Sequence, residues 1–185
     1  MQAQALHFPP RRQPSWWEIP LRDEPSLSLR DAGPDDLPFL RRLYASSRAA
    51  ELAGIPWPEA ARQTFCDSQF DLQHHHYVTN FATGDFMIVL QDNRPVGRLY
   101  LHEAERVLSI IDILLDESVR GQGLGSALLR RLQQEVSERA LDALTLQVLV
   151  TNEAARRLYE RHGFVIDGDD GAMRLALRWS PRKAT

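Results

Sequence analysis

Glycines alternate along Val119-Arg120-Gly121-Gln122-Gly123-Leu124-Gly125-Ser126, and the flanks of this stretch constrain the chain more than any other feature. Upstream, Leu108 to Leu115 is apolar except for Ser109 and Asp112, the pattern of a mostly buried strand. Downstream, Leu124, Leu128, Leu129, Leu132 and Val136 recur at helical spacing, with Arg130, Arg131, Gln133, Gln134 and Glu135 between them. Strand, glycine turn and helix in that order put unbonded helix amides, and the positive end of a helix dipole, at the turn. Glycine lets backbone approach a ligand closely and adopt angles closed to other residues. The segment therefore predicts a seat for an anion, with phosphate the first candidate.

Spacing narrows which phosphate. A P-loop needs Lys-Ser or Lys-Thr after its last glycine, and here Gly125 is followed by Ser126-Ala127. The dinucleotide fingerprint Gly-x-Gly-x-x-Gly fails because Gly121, Gly123 and Gly125 simply alternate. Leu144 to Val150 then reads as a further strand, and Thr151-Asn152-Glu153 as a helix start with an acidic first turn. Ala154, Ala155, Leu158 and Tyr159 follow, with Gly163 where a C-terminal capping glycine sits.

The order Arg120-x-x-Gly123-x-Gly125 resembles the pyrophosphate loop of the GCN5-related N-acetyltransferase (GNAT) superfamily. The run Val148-x-x-x-Asn152-x-x-Ala155-x-x-x-Tyr159-Glu160-x-x-Gly163-Phe164 resembles that superfamily's other hallmark, at the expected distance downstream. The resemblance covers roughly residues 26 to 179. It implies one α/β (α+β) domain of the acyl-CoA N-acyltransferase fold: a mixed, mostly antiparallel sheet of six or seven strands flanked by helices. It also implies acetyl-coenzyme A as co-substrate and a primary amine, on a small molecule or a peptide, as acceptor. By the same resemblance the pyrophosphate rests on Gly121 and the amides of Gln122, Gly123, Leu124, Gly125 and Ser126, with Arg120 nearby. The pantetheine arm lies along Ile113, Leu114 and Leu115, and the amide near Leu114 polarises the acetyl carbonyl. Tyr159 is the expected general acid for the leaving thiolate, against the plainer reading of a core aromatic packed with Leu158. Asn152 either bonds the pantetheine arm or caps its helix. A coenzyme-binding module that has lost turnover is the alternative function.

Acetyl transfer to an amine also needs a proton acceptor. Asp112 interrupts an apolar strand, where an unpaired carboxylate is expensive. It is expected either to act as the general base or to be a structural acid paired with an arginine such as Arg98. His102 and Glu103 compete for the base role, acting directly or through water, and the alternative is an amine that arrives already deprotonated. His74-His75-His76 invites a metal reading, but successive helical residues point about 100° apart and cannot meet one ion together, so no metal is expected. Gln69, Gln73, His76 and Tyr77 instead offer polar groups towards an acceptor cleft, or simply a solvated face. No Gly-x-Ser-x-Gly elbow is present, and Cys66 lacks a local nucleophile signature.

At 185 residues the chain can bury a sizeable single core. A net charge of -3 gives no electrostatic reason to expect nucleic acid or an anionic membrane. A lone Cys66, no run of membrane-span length and no signal-peptide core together suggest a cytoplasmic location. Residues 1–25, with Pro9, Pro10, Pro14, Pro20, Pro25 and the pair Trp16-Trp17, read as an arm ahead of a domain at 26–180. That arm is expected to dock on its own domain or on a second copy in a homodimer. Strands are expected at 26–30, 86–90, 95–102, 108–115, 144–150, 164–166 and 172–179, with an acidic turn at 167–171. Helices are expected from Asp35-Asp36 through Leu37, Leu40, Leu43 and Tyr44, and across Ala61, Phe65, Phe70, Leu72 and Tyr77.

Overall fold

The computed structural model describes residues 7–10, 26–169 and 173–181. Their order is β1 (Leu27–Asp31), a 3-10 turn at Pro34–Asp36, α1 (Leu37–Leu52), α2 (Glu59–Asn80), β2 (Asp85–Gln91), β3 (Arg94–Ala104) and β4 (Val107–Leu115). A second 3-10 turn at Glu117–Val119 leads to α3 (Leu124–Glu138), β5 (Ala143–Leu149), α4 (Glu153–Arg161), β6 (Val165–Asp169) and β7 (Arg174–Trp179). The strands form one mixed sheet in the order β1-β2-β3-β4-β5-β7-β6. Every pairing is antiparallel except that of β4 with β5.

Local chemistry explains most of these boundaries. Asp92 and Asn93 sit at φ 49° and 63°, the double left-handed turn that matches the twist of a hairpin, and so join β2 to β3. Glu105 and Arg106 do the same between β3 and β4 at 49° and 67°, with residues less suited to it. At the start of α1 the Asp36 carboxylate accepts two hydrogen bonds from Arg30 (2.7 and 2.6 Å) and one from the Gly33 amide. A parallel β4–β5 pair demands a crossover connection, and α3 supplies it.

The two faces of the sheet are covered differently. Leu124, Ala127, Leu128, Leu129, Leu132 and Val136 of α3 pack on Leu99, Leu101, Leu108, Ile110, Leu144, Leu146 and Val148 to form the main core. On the opposite face Leu40 of α1 and Phe70 of α2 close over Ile88. The buried stripe of α2 is Cys66, Phe70 and His74, one residue per turn. Leu72, counted in the apolar pattern of this helix, is 65 % exposed because it lies off that stripe. The histidine run divides as helical geometry requires: His74 is buried and stacked on Phe70, while His75 and His76 are exposed. Part of the N-terminal arm is seated here in cis, with Phe8 edge-on to His74 and Phe86 at centroid distances of 4.7 and 5.9 Å. Trp16 and Trp17 lie outside the described residues.

The first part of the acidic turn expected at 167–171 is a strand, and residues 170 and 171 lie outside the described residues. Asp167, Gly168 and Asp169 continue β6 and pair with β7 across an irregularity between Ile166 and Gly168. An edge strand has a solvated side, so acidic residues and glycine are tolerated where a central strand would exclude them. No described helix is long and apolar enough to cross a membrane.

β4 and β5 pair only from Val107↔Ala143 to Ile110↔Leu146. Beyond that point β4 stays with β3 as far as Gly97↔Leu115, and β5 stays with β7 as far as Leu149↔Arg174. The sheet therefore opens between its two halves. A β-bulge marks the opening: Leu101 faces Ile110 and Tyr100 faces Asp112, leaving Ile111 as the extra residue. The bulge also shifts the side-chain phase. Leu108 and Ile110 point to the α3 core before it, Ile113 and Leu115 after it, and Asp112 is turned to the α1/α2 face.

Leu129 is fully buried at the centre of the main core. Leu129→Ala is expected to lower unfolding free energy by about 3 kcal/mol, from lost transfer energy plus a cavity. Urea titration should show the midpoint falling at unchanged slope.

Candidate active site

Main chain dominates one wall of the opening. Past Ile110 the edge of β4 that faces β5 has no ladder partner, so Ile113 to Leu115 run as an open strand edge inside the sheet. The Asp116 amide bonds the Val96 carbonyl at 2.8 Å, and the Asp116 carboxylate accepts from the Ser118 amide (2.9 Å) and hydroxyl (2.6 Å). These bonds from Ser118 hold the Asp116 carboxyl below the usual range. The chain then passes Gly121 at φ 74° and Gly123 at φ 86°, both in the left-handed region, and enters α3 at Leu124. The first helical bond runs from the Ala127 amide to the Gly123 carbonyl. The amides of Leu124, Gly125 and Ser126 precede it and have no acceptor within the helix. Gly125 serves packing: a Cβ there would lie 3.2 Å from the Leu158 side chain of α4. Arg120 stands beside the loop, with Nη1 3.1 Å from Glu117 Oε1 and Nε donating to the Leu115 carbonyl at 3.3 Å. Gln122 turns its side-chain amide to the Ser118 carbonyl.

The other wall comes from the helix after β5. Asn152 caps α4, its Oδ1 accepting from the Ala155 amide at 3.2 Å. Tyr159 follows two turns later, 6 % exposed and edge-on to Phe164 at 5.7 Å. Burial, together with the nearby Asp112 carboxylate, pushes its phenol up to about 12. It therefore holds its proton across the whole neutral range. Tyr159 belongs to the hydrophobic cluster against which Ile113 and Leu115 of β4 pack.

Asp112 does not stand alone. Arg98, 2 % exposed and one strand away, places Nη2 2.5 Å from Asp112 Oδ2. The same nitrogen donates to Gln73 Oε1 of α2 at 2.7 Å. Asp112 is thus paired with Arg98, the contact that one of its two sequence readings expects, with part of its side chain still exposed. Burial works most strongly against the Arg98 charge, but Asp112 together with the Tyr100 and Tyr77 phenols holds the guanidinium above its ordinary value. Tyr77 and Tyr100 complete the group, their rings perpendicular at 5.9 Å and both phenols pushed up, mainly by burial. Arg98 also lies over the Tyr100 ring at 5.4 Å.

Among the helix α2 residues expected near the cleft, Gln73 and Tyr77 join this cluster, while His76 turns to Asn80. His102 and Glu103 stand opposite Ser109 and Leu108, at the end of β4 away from the opening. Glu103 is there bonded by Arg139 at 2.6 Å. Burial pushes the Cys66 thiol up, the opposite of what an attacking thiolate needs. Tyr100 was not legible as a site residue; its only signal is its place two residues after Arg98 on one strand face. Among the described residues no group of His, Cys, Asp and Glu side chains is arranged to hold a metal.

Comparison with known proteins agrees with this architecture. The sequence pattern of the Acetyltransferase (GNAT) family matches residues 40–164. The [ribosomal protein bS18]-alanine N-acetyltransferase of Escherichia coli strain K12 is 41% identical over 140 residues, covering 66% of this chain and 81% of that protein. Mycothiol acetyltransferase of Acidimicrobium ferrooxidans is 33% identical over 103 residues, covering 53% of this chain but only 33% of its own length. Among solved structures, the PaiA N-acetyltransferase of Thermoplasma acidophilum in complex with coenzyme A superposes with a TM-score of 0.65 at 16% identity, covering 84% of this chain and 99% of that one.

All 4 tyrosines of the chain have phenols raised above the ordinary value, chiefly by burial. An ultraviolet titration should find well under half of them ionised at pH 10 in the folded protein, against about half in the unfolded chain. Above pH 10 the unfolded chain releases phenolic protons that the folded state keeps, so stability must fall as pH rises. Tyr159→Phe should remove a step near pH 12.

Proposed function

The chain belongs to the GNAT acetyltransferase family, and from that premise we propose that it moves an acetyl group from acetyl-coenzyme A to a primary amine by direct attack. The observation that carries this reading is the interrupted β4–β5 ladder, with the glycine loop directly after β4 and Tyr159 on the helix directly after β5. The residues fit such a co-substrate. Three consecutive amides at the start of α3 suit a pyrophosphate, and the open edge of β4 suits the amide-bearing pantetheine arm. When bound, acetyl-coenzyme A supplies an activated thioester.

In this reading the amides of Gln122 to Ser126 grip the pyrophosphate, helped by the turns at Gly121 and Gly123. Arg120 leaves Glu117 to add charge. Backbone groups of Ile113, Leu114 and Leu115 align the arm, and the Leu114 amide polarises the acetyl carbonyl. Asn152 already caps α4 through Oδ1, which leaves its amide nitrogen for the arm. Asp112 receives the acceptor ammonium as a hydrogen-bond acceptor and passes its proton to water. The freed amine attacks the carbonyl carbon, the C–N bond forms, and the C–S bond breaks. Tyr159 gives its proton to the departing sulfur and recovers one from solvent, while the new amide sheds its surplus proton. Relatives named as N-acetyltransferases support the amine class without fixing the molecule.

A thiol-release assay across a panel of amines should show turnover, whereas binding of coenzyme A with no thiol released would point to a non-catalytic module. Tyr159→Phe should lower kcat about 10²-fold, the usual scale for losing a general acid, with coenzyme affinity by calorimetry unchanged. Gly123→Ala forces a side chain into the left-handed region at a cost of about 1–2 kcal/mol, and should weaken coenzyme binding about tenfold.

A further inference from the structure

Arg98 takes no part in the proposed acetyl transfer, yet it is the most deeply buried charge touching the residues that do. A role for it rests on the assignment of Asp112 to the acceptor amine. Three elements hold it. Asp112 of β4 takes one ion-pair contact and Gln73 of α2 a hydrogen bond, both through Nη2, while the ring of Tyr100 on its own strand lies beneath the guanidinium. A buried ion pair is poor evidence for stability, because apolar side chains of the same volume often do as well. The paired position Ile88, in the layer under α1 and α2, is apolar and fully buried, so an apolar residue at 98 would have company. What the pair supplies that an apolar residue cannot is a fixed anion. Asp112 commits Oδ2 to Arg98, and the 15% of its side chain still exposed is all that can meet a ligand.

We propose that Arg98, braced by Gln73, is the positioning residue that holds one oxygen of Asp112 and aims the other at the acceptor, so that the enzyme selects amines arriving as ammonium ions. The charged and titratable groups around Asp112 fit this role. Tyr77 on α2, Tyr100 on β3 and Tyr159 on α4 are neutral, and Arg98 is the cation within pairing distance.

Steady-state kinetics on a competent cationic amine tests this with Arg98→Met, Arg98→Lys, Asp112→Asn and the double variant Arg98→Met/Asp112→Asn. Coenzyme A affinity serves as the control for a merely structural effect. Arg98→Met should lower kcat/KM for the amine about 10²-fold, the scale of a misplaced catalytic group, while coenzyme affinity stays within about twofold. Arg98→Lys should recover at least part of the loss. The double variant should be no slower than the slower single variant, because both act through one carboxylate. Parent-like kinetics for Arg98→Met, or fully additive losses in the double variant, overturn the proposal. If Asp112→Asn itself behaves as the parent, the assignment of Asp112 fails first and Arg98 loses its role with it. Should Arg98→Met not retain coenzyme binding, Gln73→Leu loosens Arg98 without removing it. It must raise the acceptor KM severalfold, and an unchanged KM is equally fatal.

Discussion

Hydrogen bonding between β4 and β5 stops after Ile110, and the arrangement around the candidate site depends on that interruption. A central strand with an open edge is normally costly, because its amides and carbonyls lose partners away from bulk water. Here the cost is confined by pairing on the outer sides: β3 follows β4 to Leu115 and β7 follows β5 to Leu149. Each half of the sheet stays intact while a wedge opens between them. Ile111, the bulged residue, bends β4 at the apex and rotates the next side chain to the opposite face. One inserted residue therefore produces both the opening and the exposure of Asp112 to α2.

Electrostatics at the apex is a matter of a few buried groups and not of the protein's overall charge. Arg98 and Asp112 cancel each other, and three phenols around them stay neutral. Such a site presents hydrogen-bonding groups of fixed polarity in surroundings that cannot reorganise to screen a developing charge. In the glycine loop the side chains of Gln122 and Arg120 are engaged with Ser118 and Glu117, which leaves the loop's main-chain dipoles undisturbed.

Features written in local chemistry were legible in the sequence. The alternating glycines predict a strand–turn–helix, and Gly121 and Gly123 indeed occupy angles that demand glycine. Asn152 and Gly163 bracket α4 as cap signals should, with Gly163 at φ 77°. The mixed, mostly antiparallel sheet of seven strands agrees with the family resemblance. What escaped depends on register. A bulge inside the apolar run Ile110-Ile111 has no glycine to announce it, so the face of Asp112 could not be read. His102 and Glu103 looked close to the site because distance along β3 says nothing of which end of β4 they oppose. Leu72 fitted an apolar helix pattern, yet the stripe that meets the sheet is set by α1 packing against α2. The acidic end of β6 looked like a turn because composition does not distinguish a loop from an exposed edge.

Phe8 has a practical bearing on how this molecule is handled. Its half-buried ring fills the space over His74 and Phe86, so the arm contributes to the layer that α1 and α2 place over the sheet. A chain shortened past Pro10 would wet that imidazole and leave an aromatic hollow over α2 and β2. Trimming or masking the chain around Phe8 is thus an intervention in the interior, and residues 7–10 belong with the layer of α1 and α2 when boundaries are chosen.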